Sequence, residues 1–323
     1  MTKVIGPALS LEARGKFGNT VQFQKTPEGY SLYKKHKPGD IVKKEASSEQ
    51  INMRTIYNLI IARWQSLSDE EKNEYRDEVK SRGLQMSGWN LFYKYAQKDL
   101  KKYLEVQGLW LMNEIEGGYI LDKSGNENNG ELLPNYPTNA PELKESFKKK
   151  VGTSLYFNGD SQLVNCGVGQ SLNPKEKNFT ISFFLKLEGE VDETYLILRK
   201  KFGGTPYIGY AIYYHSDSQS IKVQLRGVGD GGTSTFGTDT KGFVNGKWFH
   251  FACVVNVAES KLKIYIRGIE ESTIHDISGI GEIDSESIFY LSYTSYFLVG
   301  KFDIVQFHNR ALEEGEIMNI ANI

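Results

Sequence analysis

The carboxylates of Glu282-Ile-Asp284-Ser-Glu286 stand at alternate positions, so in an extended segment all three share one face. Paired carboxylates are the equipment of a glycoside hydrolase, and a retaining enzyme holds its pair roughly 5–5.5 Å apart. Positions i and i+4 of a regular strand lie about 13 Å apart, so hydrolysis here would require a bulge. Gly279 and Gly281 precede the run, and an acidic loop entering the strand Ile288-Phe-Tyr-Leu291 is the simpler reading. Two tyrosine-dense stretches offer different chemistry: Tyr207, Tyr210, Tyr213 and Tyr214, then Tyr290, Tyr293 and Tyr296. Such rings stack on the C–H faces of sugars while their hydroxyls hydrogen-bond, although half of them must face the core in any strand. Tyr210, Tyr214, Tyr293 and Tyr296 are the candidates for glycan contact. Asp122, Asn126 and Asp303 supply the hard oxygen donors that Ca²⁺ prefers, and the competing reading is that these side chains cap their own turns.

Other reactive residue types form no constellation. Cys166 and Cys253 lie far apart without a nearby Cys or His, which excludes a zinc motif and a disulfide-dense scaffold and reads as two buried thiols. The five histidines are scattered. Gly227-Val-Gly-Asp-Gly-Gly-Thr-Ser-Thr lacks the Lys and following helix of a phosphate cradle and reads as a hairpin loop. No catalytic residue is assigned and no cofactor is required; calcium at Asp122, Asn126 and Asp303 is the one ion the sequence offers.

The 323 residues exceed what one hydrophobic core usually organises, so two domains are expected. Overall charge is balanced, 39 basic against 40 acidic residues, which argues against nonspecific nucleic-acid binding. Residues 1–105 carry 19 Lys and Arg against 13 Asp and Glu, whereas 106–323 carry 20 against 27, so a basic head precedes an acidic body. Neither a signal-peptide stretch nor an apolar run of spanning length is present, and synthesis in the cytoplasm without membrane insertion is expected.

Residues 17–35 set two β-rich runs around Thr26-Pro27-Glu28-Gly29, a hairpin pattern. Met53, Ile56, Tyr57, Ile60, Ile61 and Trp64 recur at helical spacing and predict a helix over 47–65. Ser68-Asp-Glu-Glu71 is a capping box that starts a second helix, stopping near Gly83. A third helix follows Ser87, with Trp89, Phe92, Tyr95, Ala96, Leu100 and Tyr103 on one stripe. From Leu109 onward, short apolar or alternating runs separated by Gly, Asn, Asp and Ser predict a β-sandwich, with a surface loop over 135–150. Leu262, Ile264 and Ile266 alternate with Lys263, Tyr265 and Arg267, so their sheet is expected to have one wet face.

Several blocks over 106–323 resemble the laminin-G-like, concanavalin A-like jelly-roll family. They are Asp122-Lys-Ser-Gly-Asn126-Glu-Asn-Asn-Gly130, Ser154-Leu-Tyr-Phe-Asn-Gly159 and Asn178-Phe-Thr-Ile-Ser-Phe183, then Gly246-Lys-Trp248-Phe-His250, Leu262-Lys-Ile-Tyr265-Ile-Arg-Gly268, Gly300-Lys-Phe-Asp303 and Arg310-Ala-Leu312-Glu-Glu-Gly-Glu316-Ile317. The resemblance implies a mainly β fold, a jelly-roll sandwich preceded by a small α+β module of a hairpin and about three helices. It also implies that a calcium ion staples the chain ends in some relatives, and that laminarinase-like enzymes of this fold carry a Glu-x-Asp-x-Glu run similar to 282–286. Ser285 departs from the apolar residue usual there.

Gly15-Lys-Phe-Gly-Asn19-Thr-Val21, Trp64-Gln-Ser-Leu-Ser68-Asp-Glu-Glu-Lys72 and Ser87-Gly-Trp-Asn-Leu-Phe92 resemble segments at the front of tailed-phage and prophage proteins. Residues 54–76 are also similar to the later part of an HMG box, whose start is absent here. These resemblances imply a virion structural protein, a capsid decoration, head fibre or tail adhesin. Its residues 1–105 would dock to other virion proteins and its jelly-roll, 106–323, would meet host-surface glycan. A glycoside hydrolase using Glu282, Asp284 and Glu286, and a DNA-binding protein using the HMG-like helices, are the alternatives.

Overall fold

The computed structural model describes the backbone of strands β1 (Gly15–Phe17), β2 (Val21–Thr26) and β3 (Gly29–Lys34), and residues 46–148, 150–201, 207–230, 232–244, 246–293 and 296–323. Contacts divide the chain into two compact units, Met1–Ser47 and Ser48–Ile323. In the first, β1, β2 and β3 form an antiparallel sheet in which Thr26 pairs with Gly29, so the expected hairpin gains one further strand.

The second unit opens with helices α1 (Ser48–Ser66), α2 (Asp69–Ser81), α3 (Gly88–Lys98) and α4 (Leu100–Leu104). The capping box forms as read: the Glu71 N–H donates to Ser68 Oγ at 3.2 Å and the Ser68 N–H donates to Glu71 Oε2 at 2.7 Å. The single helix expected after Ser87 breaks at Asp99, whose carboxylate accepts the Lys102 N–H at 2.9 Å and restarts the chain as α4. On α1 the buried side is Asn52, Thr55, Ile56, Leu59, Ile60 and Ala62, while Met53 and Tyr57 are exposed. The stripe is rotated from the expected one because Asn52 can be buried: it accepts from Asn113 Nδ2 at 3.0 Å and donates to Glu114 at 3.2 Å.

The strands are β4 (Val106–Trp110), β5 (Tyr119–Ile120), β6 (Gly130–Leu133), β7 (Glu142–Glu145), β8 (Thr153–Asn158), β9 (Leu163–Asn165), β10 (Phe179–Leu187) and β11 (Tyr195–Lys201). They continue as β12 (Gly209–His215), β13 (Ser220–Arg226), β14 (Ser234–Gly237), β15 (Trp248–Asn256), β16 (Lys261–Ile266), β17 (Ile269–Glu270), β18 (His275–Asp276), β19 (Tyr290–Leu291) and β20 (Val299–His308), and helix α5 (Glu314–Ala321) closes the chain. The larger sheet runs β17-β16-β15-β10-β20-β8-β7, with β18 beside β16 and β4 beside β20; the smaller runs β14-β13-β12-β11-β19-β9-β6-β5. The segment 135–150, expected as a loop, contributes edge strand β7.

Between the sheets lies an aromatic-rich core. Phe183 stacks on Phe251 and on Phe302 with centroids 5.0 Å apart, Tyr210 lies 5.8 Å from Phe307, and Trp110 lies 5.5 Å from Phe289. Cys166 and Cys253 are buried free thiols, as expected. A second core lies on the far face of the larger sheet, where Phe184, Ala252, Val254, Tyr265 and Ile304 meet Ile56, Ile60 and Phe92 of the helices and Ile317 and Ile320 of α5. The wet face expected for β16 is therefore partly dry, with Tyr265 buried and hydrogen-bonded to Glu270 at 2.9 Å. Trp64 packs against Phe92, Trp89 and Tyr75 at 5.3, 5.7 and 6.0 Å, so Trp64 and Tyr75 of the HMG-like segment are engaged within the helices.

An ion cluster joins α1 to the end of the chain. Arg310 donates to both oxygens of buried Glu316 at 2.8 and 2.6 Å, Ser66 Oγ donates to the same carboxylate, and Arg310 and Arg63 flank Glu105 at 3.3 and 3.9 Å. Burial alone would raise the Glu316 carboxyl, but the hydrogen bonds and charge of Arg310 outweigh it and hold it below the usual range. Among the described residues no helix is long and apolar enough to cross a membrane.

These contacts place the helices within the sandwich unit, so the expected boundary at 105 moves to 47. Uncovering Phe184, Val254, Tyr265 and Ile304, at about 1.5–3 kcal/mol for each large apolar side chain, rivals the ~5–15 kcal/mol stability of a whole domain. A chain beginning at residue 48 should melt cooperatively at the temperature of the full chain, whereas one beginning at 106 should lack a cooperative transition in calorimetry. Two equally cooperative transitions would restore the boundary at 105.

Acid should act through two buried rings. His250 hydrogen-bonds Ser182 at 2.9 Å and His308 lies 3.1 Å from the Leu104 carbonyl, and burial drives their pKa values down to about 3 and about 4. An unfolded imidazole titrates near ~6.5, so below that pH the unfolded chain binds protons that the fold refuses, and stability falls as pH falls. Each ring contributes a slope of about 1.4 kcal/mol per pH unit until its folded pKa is reached. His250→Gln should remove one such increment from the slope of unfolding free energy between pH 6 and 4.5, measured by urea titration; an unchanged slope would mean that the ring charges within the fold.

Candidate functional site

Strand alternation sorts the tyrosines. On β12, Tyr210 and Tyr214 turn into the inter-sheet core, where Tyr210 donates to the Leu172 carbonyl at 2.9 Å and Tyr214 to the Val191 carbonyl at 3.0 Å. These two expected glycan contacts are corrected: their ring faces are enclosed and their hydroxyls bind backbone. Tyr213 points outward between them, its hydroxyl 3.2 Å from Gln224 Nε2. Tyr293 is half-buried at the surface and Tyr296 is exposed.

The outward face of the smaller sheet brings these rings beside cations that the tyrosine pattern alone did not point to. Arg199 faces Tyr290 across the β11–β19 pairing and its guanidinium lies 4.1 Å from the ring centroid of Tyr293, which is itself 4.6 Å from Tyr290. Two residues along β11, Lys201 donates to Gln224 Oε1 at 3.2 Å and Thr233 Oγ1 at 3.3 Å. Lys201 Nζ and Arg226 Cζ each lie 5.9 Å from the ring centroid of exposed Tyr207. Burial lowers the Arg199 and Lys201 pKa values, and for Lys201 the charges of Arg199 and Arg226 lower it further. The available signal was the alternation of Arg199, Lys200 and Lys201 within an otherwise apolar strand, which exposes the first and third together.

Lys200, between them, turns inward and is fully buried, donating to the carbonyls of Ser287 at 2.6 Å and Val168 at 3.2 Å. Its pKa is lowered to about 8 by burial. Together with the bond from Ser287 Oγ to the Lys201 carbonyl at 2.9 Å, it ties the segment leading to Tyr290 onto the end of β11.

The acidic run is a loop crossed by one bridge, Ile283 to Lys175, with Ile283 and Ser285 buried and Glu286 exposed. Asp284 accepts from Asn173 Nδ2 at 3.0 Å and pairs with Lys175 at 3.3 Å. The three residues expected to hold calcium do not converge. Asp122 accepts from the N–H groups of Leu109, Ser124 and Asn128, from Ser124 Oγ and from Asn128 Nδ2, all at 2.8–3.0 Å. Asn126 donates to the Gln107 carbonyl at 3.1 Å. Asp303 sits across β4 from that turn, bonded by Ser146 Oγ and the Ile304 N–H, with its carboxyl pushed well up by burial. The donor set does not fit a cation: one carboxylate is saturated by backbone and side-chain donors and the other lies elsewhere. Among the described residues no three His, Cys, Asp or Glu side chains group as metal ligands.

Residues 158–318 match the model of the Concanavalin A-like lectin/glucanases superfamily. Two antiparallel sheets packed face to face carry the match. The sandwich is a concanavalin A-like domain. Solved structures similar to it include the binding domain of Paraclostridial Mosquitocidal Protein 1, at 17% identity and TM-score 0.55, covering 68% of this chain and 52% of that one. The receptor binding domain of botulinum neurotoxin D is similar at 13% identity and TM-score 0.52, covering 68% and 52%. A botulinum neurotoxin serotype D ligand binding domain in complex with N-acetylneuraminic acid is similar at 13% identity and TM-score 0.53, covering 68% and 50%. The chain spans about half the length of these structures, and at such identity the likeness is one of fold. No curated protein matches the sequence.

In this concanavalin A-like domain Asp122 serves the turn that follows β4. Asp122→Ala should strand several buried donors and cost about 3 kcal/mol in chemical denaturation, while a chelator should leave the native midpoint unchanged. A chelator-sensitive midpoint would show that the carboxylate holds an ion.

Proposed function

We propose that this chain is a binding protein whose concanavalin A-like domain takes glycan on the outward face of its smaller sheet. The observation that carries the reading is the cluster of Tyr207, Tyr213, Tyr290 and Tyr293 at that surface beside Arg199, Lys201 and Arg226. Aromatic faces stack on sugar C–H groups, and Tyr and Arg hydrogen-bond the hydroxyls. The toxin-domain neighbours, one of them in complex with a sugar acid, support this use of the fold by analogy. A binding rather than hydrolytic role is supported by the engagement of Asp284, the middle carboxylate of the 282–286 run, with Lys175 and Asn173.

Display on a virion completes the proposal and rests on the sequence resemblance of the N-terminal segments. The basic excess that would dock to a particle is concentrated in residues 1–47, with 9 Lys and Arg against 4 Asp and Glu. Weak sugar contacts would then gain from many copies on one particle.

The test is a glycan panel titrated against the full chain and its variants. Tyr293→Ala should weaken the best glycan about five- to tenfold, the loss of one aromatic contact of roughly 1–1.4 kcal/mol, without moving the melting temperature. Tyr210→Phe should leave affinity unchanged. A chain that binds no glycan on the panel would end the reading.

A further inference from the structure

We infer that the ligand of this face is an acidic glycan, whose carboxylate or sulfate is received between Arg199, Lys201 and Arg226 while a sugar ring lies against the neighbouring tyrosines. The inference rests on the glycan reading above and names its ligand class.

Cross-strand register puts Lys201 opposite Gly209 and Gly209 opposite Arg226; one step along, Arg199 faces Ala211 and Ala211 faces Gln224. The middle strand thus presents only small residues, Gly209 between Lys201 and Arg226 and Ala211 between Arg199 and Gln224. At Gly209 this is required, since φ is +134° and a Cβ would lie 2.0 Å from the Lys200 carbonyl oxygen. Lys201 and Arg226 therefore converge on Tyr207 from strands two apart, roughly 10 Å at the backbone.

Among the described residues no carboxylate compensates the charges of these three side chains by an ion pair, although the same domain pairs Lys123 with Glu114, Lys175 with Asp284, Lys263 with Glu270 and Arg310 with Glu316. Their hydrogen bonds go to neutral acceptors: Arg199 Nη2 to the Lys201 carbonyl at 2.6 Å, Arg226 Nη2 to the Asp230 carbonyl at 3.2 Å, and Lys201 to Gln224 and Thr233. The Nε atoms of both arginines are buried without an acceptor. Asp230, the nearest candidate partner for Arg226, spends its carboxylate on the N–H groups of Gly227 at 2.6 Å and Gly281 at 2.9 Å.

Three partly buried cations held together repel one another, and the repulsion is relieved when an anion enters. Guanidinium forks match the planar geometry of carboxylate and the tetrahedral geometry of sulfate. A duplex nucleic acid is the less favoured polyanion, because residues 106–323 carry 20 basic against 27 acidic side chains and repel an extended phosphate backbone.

The full chain is titrated by calorimetry with sialyllactose against lactose, with a glucuronate-containing hexasaccharide and a sulfated hexasaccharide against a neutral N-acetylglucosamine hexamer, and with a 20-base-pair DNA duplex, at 50 and 300 mM NaCl. Expected is at least tenfold tighter binding of one acidic sugar than of its neutral counterpart, an advantage that shrinks at high salt. Arg226→Gln should remove most of that advantage and Arg226→Lys should keep part of it, with the native salt dependence standing as the test should the glutamine variant unfold. Equal binding of neutral and acidic sugars would overturn the inference and leave the glycan reading intact. Duplex binding as tight as that of the best acidic sugar would overturn it in favour of general polyanion affinity. Binding of no sugar at all would remove the glycan reading and this inference with it.

Discussion

The larger sheet is dry on both faces over its central strands, and the remaining architecture follows from that constraint. β10, β15 and β20 bury successive residues alternately against the smaller sheet and against the helices, so their burial is nearly continuous along the strand. A strand apolar on both sides cannot sit at a surface; it needs two partners. The smaller sheet is one and the assembly of α1, α3, α4 and α5 is the other. The Arg310–Glu316 pair, with Arg63, Ser66 and Glu105 around it, fixes where the end of the chain meets α1. A buried ion pair of this kind adds little net stability over an apolar contact, but breaking it is costly, so it sets register between elements far apart in sequence.

Covering the larger sheet leaves the smaller one to face solvent. On β11, β12 and β13 the inner apolar residues are Tyr195, Ile197, Leu198, Tyr210, Ile212, Tyr214, Ile221, Val223 and Leu225, all buried, and the outer ones, Leu196 apart, are polar, small or tyrosine. The face proposed for ligand is thus a surface where substitution does not disturb the core. The inward Lys200 is the exception that links the layers, because its ammonium organises the Val168 and Ser287 carbonyls just below the outward Arg199 and Lys201.

The sandwich, the helices and the caps were legible because each rests on local rules: period-2 runs separated by turn residues, period-3.6 stripes, and a Ser-x-x-Glu box whose two hydrogen bonds form as read. The sorting of the tyrosines was partly legible, since alternation guarantees that neighbours on β12 diverge, yet which of them turn inward depends on the register against β11 and β13. Arg199 and Arg226 are 27 positions apart and become neighbours only through that register. The dryness of the outer face of β16 was hidden for a similar reason. Tyr265 alternates with apolar residues as a solvent-facing position would, and its burial comes from the core that the sheet shares with the helices and α5. The calcium set was drawn from a turn and a strand that lie on opposite sides of β4, so their carboxylates do not converge.

The likeness to toxin binding domains is one of fold, and it resides in the packed inner faces of the sheets rather than in their surfaces. Inward apolar faces are required wherever two such sheets close on one another, whatever the particular residues, so the fold is shared at 13–17% identity. Outward positions carry no such obligation, and what they hold is set by the ligand each chain meets. Arg199, Lys200 and Lys201 show the division within three consecutive residues: the middle one is bound to the fold by two carbonyls, while its neighbours keep their charge near the surface without a carboxylate partner among the described residues. A sandwich kept only as scaffold would gain from neutralising that pair, as the domain does at Lys263 and Glu270. The anionic ligand proposed for this face would supply that neutralisation beside Tyr207 and Tyr293.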